Sequence, residues 1–113
     1  MTKHRFLLKL PKLTSHQIHD ILQANAKRLG DCGVKSVGLF GSTVRNEQTP
    51  LSDIDLLLDF HPEMETFDNY MCAYDLLETL FAGMKLDVVT RNGLSPYIGP
   101  YILNEAQYVQ KSR

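Results

Sequence analysis

Residues 41–60 read GSTVRNEQTPLSDIDLLLDF, and this stretch joins two apolar runs. The first run, residues 37–40 (VGLF), comes directly before Gly41-Ser42 and completes a predicted strand over residues 34–40 that ends in a tight turn. The second run continues from Asp53-Ile54-Asp55 and predicts another strand over residues 54–60. Side chains two residues apart on a strand point to the same face, so Asp53 and Asp55 should project together, with Cα atoms roughly 6.5–7 Å apart.

These residues suit the binding of a phosphate next to a metal ion. Two carboxylates on one face can close on a hard cation such as Mg2+. Gly41 and Ser42 should offer unpaired backbone N–H groups and a hydroxyl, without a bulky side chain. This equipment is typical of metal-assisted phosphoryl or nucleotidyl transfer. The structural alternative is that Asp53 and Asp55 protect an edge strand and that Gly41-Ser42 is an ordinary hairpin turn.

The remaining chain predicts three helices and a third strand around this stretch. A first helix begins after the N-cap Thr14 and should stop at Gly30. A second helix, with inward residues from Phe67 to Phe81, should end at Gly83, and a third should run from Pro100 to Val109. Residues 85–90 (KLDVVT) predict a strand that carries Asp87, with a strand-edge charge as the alternative. This order predicts an α/β (α+β) fold with a small mixed sheet and helices packed on it.

Length and composition limit the possible classes of protein. The 113 residues are enough for a single domain, residues 1–113, but not for a second core. A net charge of -1 argues against an extended nucleic-acid surface, and no segment is long enough to span a membrane. Cys32 and Cys72 are far apart in the sequence and lack metal-ligand spacing, which predicts reduced thiols and a cytoplasmic location.

The motif resembles the signature of the polymerase-β-type nucleotidyltransferase superfamily, and its spacing is most similar to the minimal nucleotidyltransferase branch. The residues that carry the resemblance are Gly41-Ser42-x-x-Arg45 and Ser52-Asp53-Ile54-Asp55-Leu56. It covers residues 34–90 and, more weakly, the tail around residues 102–106. Val44 and Asn46 stand where the family pattern has Ala and Gly, and neither change removes a chemical group.

The resemblance implies an enzyme that moves a nucleoside monophosphate, AMP from ATP, to a hydroxyl group. It implies two Mg2+ ions, with Mn2+ as an alternative. The implied metal ligands and catalytic residues are Asp53, Asp55 and Asp87, of which Asp87 is also the candidate general base. The implied nucleotide and phosphate contacts are Gly41, Ser42, Arg45 and Ser52. For Arg45, an exposed ion pair is the alternative.

The minimal branch is commonly paired with a HEPN-type ribonuclease toxin, so the resemblance also implies a protein partner. A tyrosine of that toxin would then be the acceptor of AMP, and the chain would be the antitoxin. Phe6-Leu7-Leu8 and the region of Tyr97 and Tyr101 are candidates for contact surface or for core. Two alternatives remain: a catalytically silent module that binds nucleotide or toxin, and a nucleotidyltransferase that modifies a small molecule such as an antibiotic.

Overall fold

The computed structural model describes residues 13–41, 43, 53–94, 96–97 and 99–109. The helices are α1 (Ser15–Ala24), α2 (Ala26–Asp31), α3 (Phe67–Leu80) and α4 (Gly99–Glu105). The strands are β1 (Val34–Leu39), β2 (Ile54–Phe60), β3 (Leu86–Thr90) and β4 (Gln107–Tyr108). Short 3-10 helices follow β2 at Pro62–Met64 and β3 at Arg91–Gly93.

The first helix begins where the sequence predicts and ends earlier. The Gln17 N–H donates to the Thr14 hydroxyl at 3.1 Å, and the Gln17 side chain accepts from the Thr14 N–H at 2.9 Å. The helix breaks at Asn25, whose side-chain amide donates to the Ile21 carbonyl at 2.8 Å and so competes with the backbone ladder. The predicted stop at Gly30 is therefore wrong, because Gly30 lies inside α2.

The sheet is mixed, in the order β3-β2-β1-β4, and this confirms the predicted fold class. Strand β1 is antiparallel to β2 and to β4, whereas β2 and β3 are parallel. The strand β4 is an addition to the prediction. The last helix ends at Glu105, and the Val109 N–H donates to the Val37 carbonyl at 2.8 Å, so the prediction of a helix through Val109 is wrong.

The core lies on one face of the sheet, beneath α1 and α3. Alternation along β2 sends four apolar side chains to this face, all of them less than 5% exposed: Ile54, Leu56, Leu58 and Phe60. They pack with residues of the helices, among them Ile18, Leu22, Ala73 and Leu77. Phe67 is 76% exposed at the first position of α3, so the prediction that it faces the core is wrong; the inward stripe starts one turn later, at Tyr70.

A disulfide joins Cys32 and Cys72 across 40 residues, with their Cα atoms 5.7 Å apart. It connects the turn after α2 to α3. The prediction of reduced thiols is wrong, because separation along the sequence carries no information about separation in space. Within the described residues, no helix is long and apolar enough to cross a membrane.

We expect the disulfide to stabilise the fold, mainly by restricting the unfolded chain. Cys72→Ser should lower the free energy of unfolding by about 2–4 kcal/mol, measured by urea denaturation without reductant. The variant leaves the buried Cys32 in its place, so core packing is retained. A reducing agent should destabilise the wild type to the same extent and leave the variant unchanged. Equal midpoints for the oxidised wild type and the variant would contradict the expectation.

Candidate active site

Two of the predicted carboxylates lie side by side on neighbouring strands. Asp55 and Asp87 are register partners in the parallel pair of β2 and β3, so they occupy the same face of the sheet. Adjacent strands are about 4.8 Å apart, which is therefore the approximate separation of the two Cα atoms. The face is opposite to the core, because alternation places Asp55 between the core residues Ile54 and Leu56.

Asp53 is exposed and lies directly before β2. In the part of the chain that the structure describes, no three His, Cys, Asp or Glu side chains are arranged as a ready set of metal ligands. Mg2+ does not require such a set, since it usually keeps several waters and is held by one or two carboxylates together with substrate phosphates. The oxygen donors of Asp55 and Asp87, with exposed Asp53 nearby in sequence, therefore fit Mg2+ chemically.

Gly41 lies against the carboxylate of Asp55. Its φ of +60° is in the left-handed region, which glycine enters without a steric penalty. A Cβ added at this position would be 2.5 Å from Oδ2 of Asp55, closer than real Cβ contacts, and 3.1 Å from its Cγ, tighter than most. The backbone conformation thus favours glycine here, and a larger residue would also displace the Asp55 carboxylate.

The backbone N–H of Gly41 is engaged by Glu105, the last residue of α4. It donates to Oε1 of Glu105 at 2.9 Å in a partly buried hydrogen bond. The prediction that Gly41 offers an unpaired N–H is therefore wrong. Sequence reasoning missed Glu105, because a contact across 64 residues leaves no local signal.

Thr43 is a second residue that sequence reasoning missed. It is fully buried, and its hydroxyl accepts a hydrogen bond of 2.8 Å from the backbone N–H of Asp55. The carbonyl of Asp55 accepts from the N–H of Phe40 at 3.2 Å. The backbone of Asp55 is thus held on both sides by residues that flank Gly41. The available signal was a hydroxyl side chain two residues after that glycine.

Several predicted residues lie outside the described part of the chain. These are the nucleotide-binding candidates Ser42, Arg45 and Ser52, the two departures from the family pattern Val44 and Asn46, and the apolar segment Phe6-Leu7-Leu8. Their roles stay predictions. Tyr97 and Tyr101 are described and are 86% and 77% exposed, so they belong to the surface rather than to the core.

Comparisons with known proteins show the family of the chain. The family model described as "Nucleotidyltransferase domain" matches residues 18–109. Protein adenylyltransferase MntA of Thermococcus cleftensis is 37% identical over 98 residues, which cover 86% of this chain and 97% of that protein. A solved structure described as a candidate minimal nucleotidyltransferase is 28% identical, with a TM-score of 0.73, over 87% of this chain and 98% of that chain.

A more distant solved structure is described as a toxin–antitoxin with AMP-PNP. It is 19% identical, with a TM-score of 0.56, and the match covers 89% of this chain and 76% of that chain. At this identity the likeness shows the fold alone.

Substitution of two glycines by alanine distinguishes the cost of the contact with Asp55 from the cost of backbone strain. Gly83 has a φ of +85° but has nothing within 4 Å of an added Cβ, so Gly83→Ala introduces only the strain of the left-handed conformation. We expect Gly83→Ala to cost about 1 kcal/mol of stability. Gly41→Ala adds the clash with Asp55 and should cost about 2 kcal/mol or more.

Thermal or urea unfolding of both variants measures these costs. Chemical shifts of the Asp55 carboxyl group, followed by NMR, should change in Gly41→Ala and stay unchanged in Gly83→Ala. Equal stability losses with an undisturbed Asp55 would show that the contact can relax.

Proposed function

The chain belongs to the nucleotidyltransferase domain family, and on that premise we propose that it transfers AMP from ATP to a hydroxyl group. The observation that carries the proposal is the pairing of Asp55 with Asp87 beside the glycine turn at Gly41. The family resemblance drawn from the motif is confirmed by the match over residues 18–109. The relative of this chain from Thermococcus cleftensis is named a protein adenylyltransferase, which supports AMP as the group transferred.

The acceptor hydroxyl attacks the α-phosphorus of ATP. A new P–O bond forms between them, and the bond from that phosphorus to the bridging oxygen breaks, so that pyrophosphate leaves. Asp87 takes the proton of the hydroxyl as general base, which requires its carboxylate to come within hydrogen-bond reach of the acceptor. Asp87 suits this role because it is exposed, whereas Asp55 on the neighbouring strand is half-buried.

The phosphates of ATP are proposed to lie along the glycine turn. Ser42, Arg45 and Ser52 would contact them, and Gly41 contributes space rather than a free N–H, since Glu105 already accepts from it. Asp53, Asp55 and Asp87 would hold Mg2+ or Mn2+. When bound, such ions neutralise charge on the phosphates and on the leaving pyrophosphate.

The metal and nucleotide assignment predicts a ligand-dependent gain in stability. Mg2+ with AMP-PNP should raise the melting temperature of the wild type, by the equivalent of about 2.7 kcal/mol at one hundred times Kd. The double variant Asp53→Asn, Asp55→Asn should lose this gain. Asp59→Asn is the matched control, because Asp59 shares the face of Asp55 on β2 but lies roughly 13 Å further along. A double variant that keeps the full gain would contradict the metal assignment.

Turnover should depend on Asp87 more than binding does. We expect Asp87→Asn to reduce turnover by a factor of about 10² or more, because it removes the general base, while the gain in melting temperature with Mg2+ and AMP-PNP largely survives. Pyrophosphate release measures turnover. Equal loss of binding and turnover would instead make Asp87 a structural part of the pocket.

We further propose that the acceptor is a tyrosine of a HEPN-type toxin and that the chain is its antitoxin. The support is the relative named MntA and the structural neighbour described as a toxin–antitoxin with AMP-PNP. The proposal includes a cytoplasmic location. The Cys32–Cys72 disulfide is compatible with this location in a hyperthermophilic organism, since intracellular proteins of such organisms are rich in disulfides.

Co-expression with the product of an adjacent small gene tests the partner. The chain should co-purify with that product, and intact-mass spectrometry should show AMP added to the partner by the wild type and by Asp59→Asn. The variant Asp53→Asn, Asp55→Asn should add no mass. If that variant neutralises the partner equally well, the chain is a binding module, and the adenylylation proposal fails.

A further inference from the structure

The C-terminal segment reaches the candidate site through Glu105. This residue ends α4, is half-buried and accepts a 2.9 Å hydrogen bond from the N–H of Gly41. Because the N–Cα bond is about 1.46 Å, the bonded oxygen of Glu105 lies within about 4.4 Å of the Gly41 Cα. The carboxylate of Asp55 lies beside the same residue, 2.5 Å from where a Gly41 Cβ would stand. A fourth carboxylate thus belongs to the surroundings of the site.

The backbone position of Glu105 is fixed by the residues that follow it. Strand β4 pairs with β1, with Tyr108 opposite Gly38. A Cβ added at Gly38 would be 3.2 Å from the Tyr108 ring and 3.4 Å from the Ala106 Cβ, so the segment lies directly on the sheet. This packing fixes the backbone at Glu105, so the carboxylate can leave Gly41 by rotation of its side chain but not by movement of the segment.

We propose that Glu105 is a positioning residue that holds the glycine turn in its left-handed conformation against Asp55. Gly41 begins the segment that is proposed to contact the phosphates, so the conformation of this residue would affect how that segment meets a nucleotide. Glu105 acts through Gly41 and does not touch the reacting atoms. The predicted effect on nucleotide binding rests on the proposed function, whereas the hydrogen bond between Glu105 and Gly41 is independent of it.

The alternative role for Glu105 is that of a phosphate substitute, which occupies the N–H of Gly41 until ATP displaces it. The two roles predict opposite changes in nucleotide affinity when Glu105 is removed. Loss of a positioning residue weakens nucleotide binding, whereas loss of a competing carboxylate strengthens it. The fixed backbone of the segment favours positioning, because it keeps the Glu105 carboxylate within reach of the Gly41 N–H.

The test compares Glu105→Ala with Glu105→Gln. The glutamine keeps an oxygen that can accept from Gly41, whereas the alanine has none. Calorimetry with AMP-PNP and Mg2+ should give a Kd about tenfold higher for Glu105→Ala and a Kd within about threefold of wild type for Glu105→Gln. Asn104→Ala, an exposed neighbour on α4, is the control and should bind as the wild type does. Tighter binding by Glu105→Ala would overturn the proposal in favour of phosphate substitution.

A second measurement is independent of nucleotide. Amide hydrogen exchange at Gly41, followed by NMR without ligand, should be slow in the wild type and in Glu105→Gln, and at least about tenfold faster in Glu105→Ala. Unchanged exchange in Glu105→Ala would overturn the proposal. If the wild type binds no nucleotide, the proposed function fails, and the exchange rates still decide whether Glu105 holds the turn. If Glu105→Ala does not fold, Glu105→Gln decides alone. Slow exchange at Gly41 in this variant would support the proposal, because the glutamine oxygen then still accepts from the Gly41 N–H. Fast exchange at Gly41 in folded Glu105→Gln would overturn it.

Discussion

Strand β2 has a different environment on each face, and the rest of the structure depends on keeping the two apart. One face carries the apolar side chains of the core cluster, and the other carries Asp55 beside the buried Leu57. A shift of one residue in register would exchange the faces and place the Asp55 carboxylate among Leu22 and Leu77. An unpaired charge in such a core costs several kcal/mol. Burial of the apolar face therefore sets the register, and the register sets the position of the candidate site.

On the second face of the sheet, two glycines allow other segments of the chain to pack directly against the strands. Gly38 has no side chain, so Tyr108 and Ala106 pack directly on β1. Gly41 likewise lets the turn after β1 contact Asp55. Bulkier residues at these two positions would move the C-terminal segment and the turn away from the sheet. Both glycines are thus needed for the same reason, which is that a segment from elsewhere in the chain must lie close to the strand.

The sequence was a good guide wherever the information was local. Alternation and turn residues predicted β1, β2 and β3 within one residue of their observed bounds, and the capping box predicted the start of α1. The family resemblance also implied that Asp55 and Asp87 belong to one site, and the two residues lie on neighbouring strands.

The sequence failed where a feature depends on distant residues. The disulfide spans 40 residues and the contact of Gly41 with Glu105 spans 64, and no pattern in the chain connects either pair. The two-residue strand β4 is too short to show alternation and exists because β1 offers it partners. The break at Asn25 came from a side-chain hydrogen bond that competes with a helix whose apolar spacing continues past it.

The carboxylates of the candidate site suit a metal ion that is bound partly by the protein and partly by a substrate. Asp55 is held by backbone bonds to Thr43 and Phe40, so its position is fixed before any ligand arrives. Asp53 and Asp87 are exposed, so they can meet a ligand from solvent. A cage complete in protein ligands would suit Ca2+ with its six to eight oxygens, whereas Mg2+ is usually held by one or two carboxylates, waters and substrate phosphates. In the proposed Mg2+ site the described residues would supply the fixed ligands and the triphosphate would supply others, so metal and nucleotide would bind together.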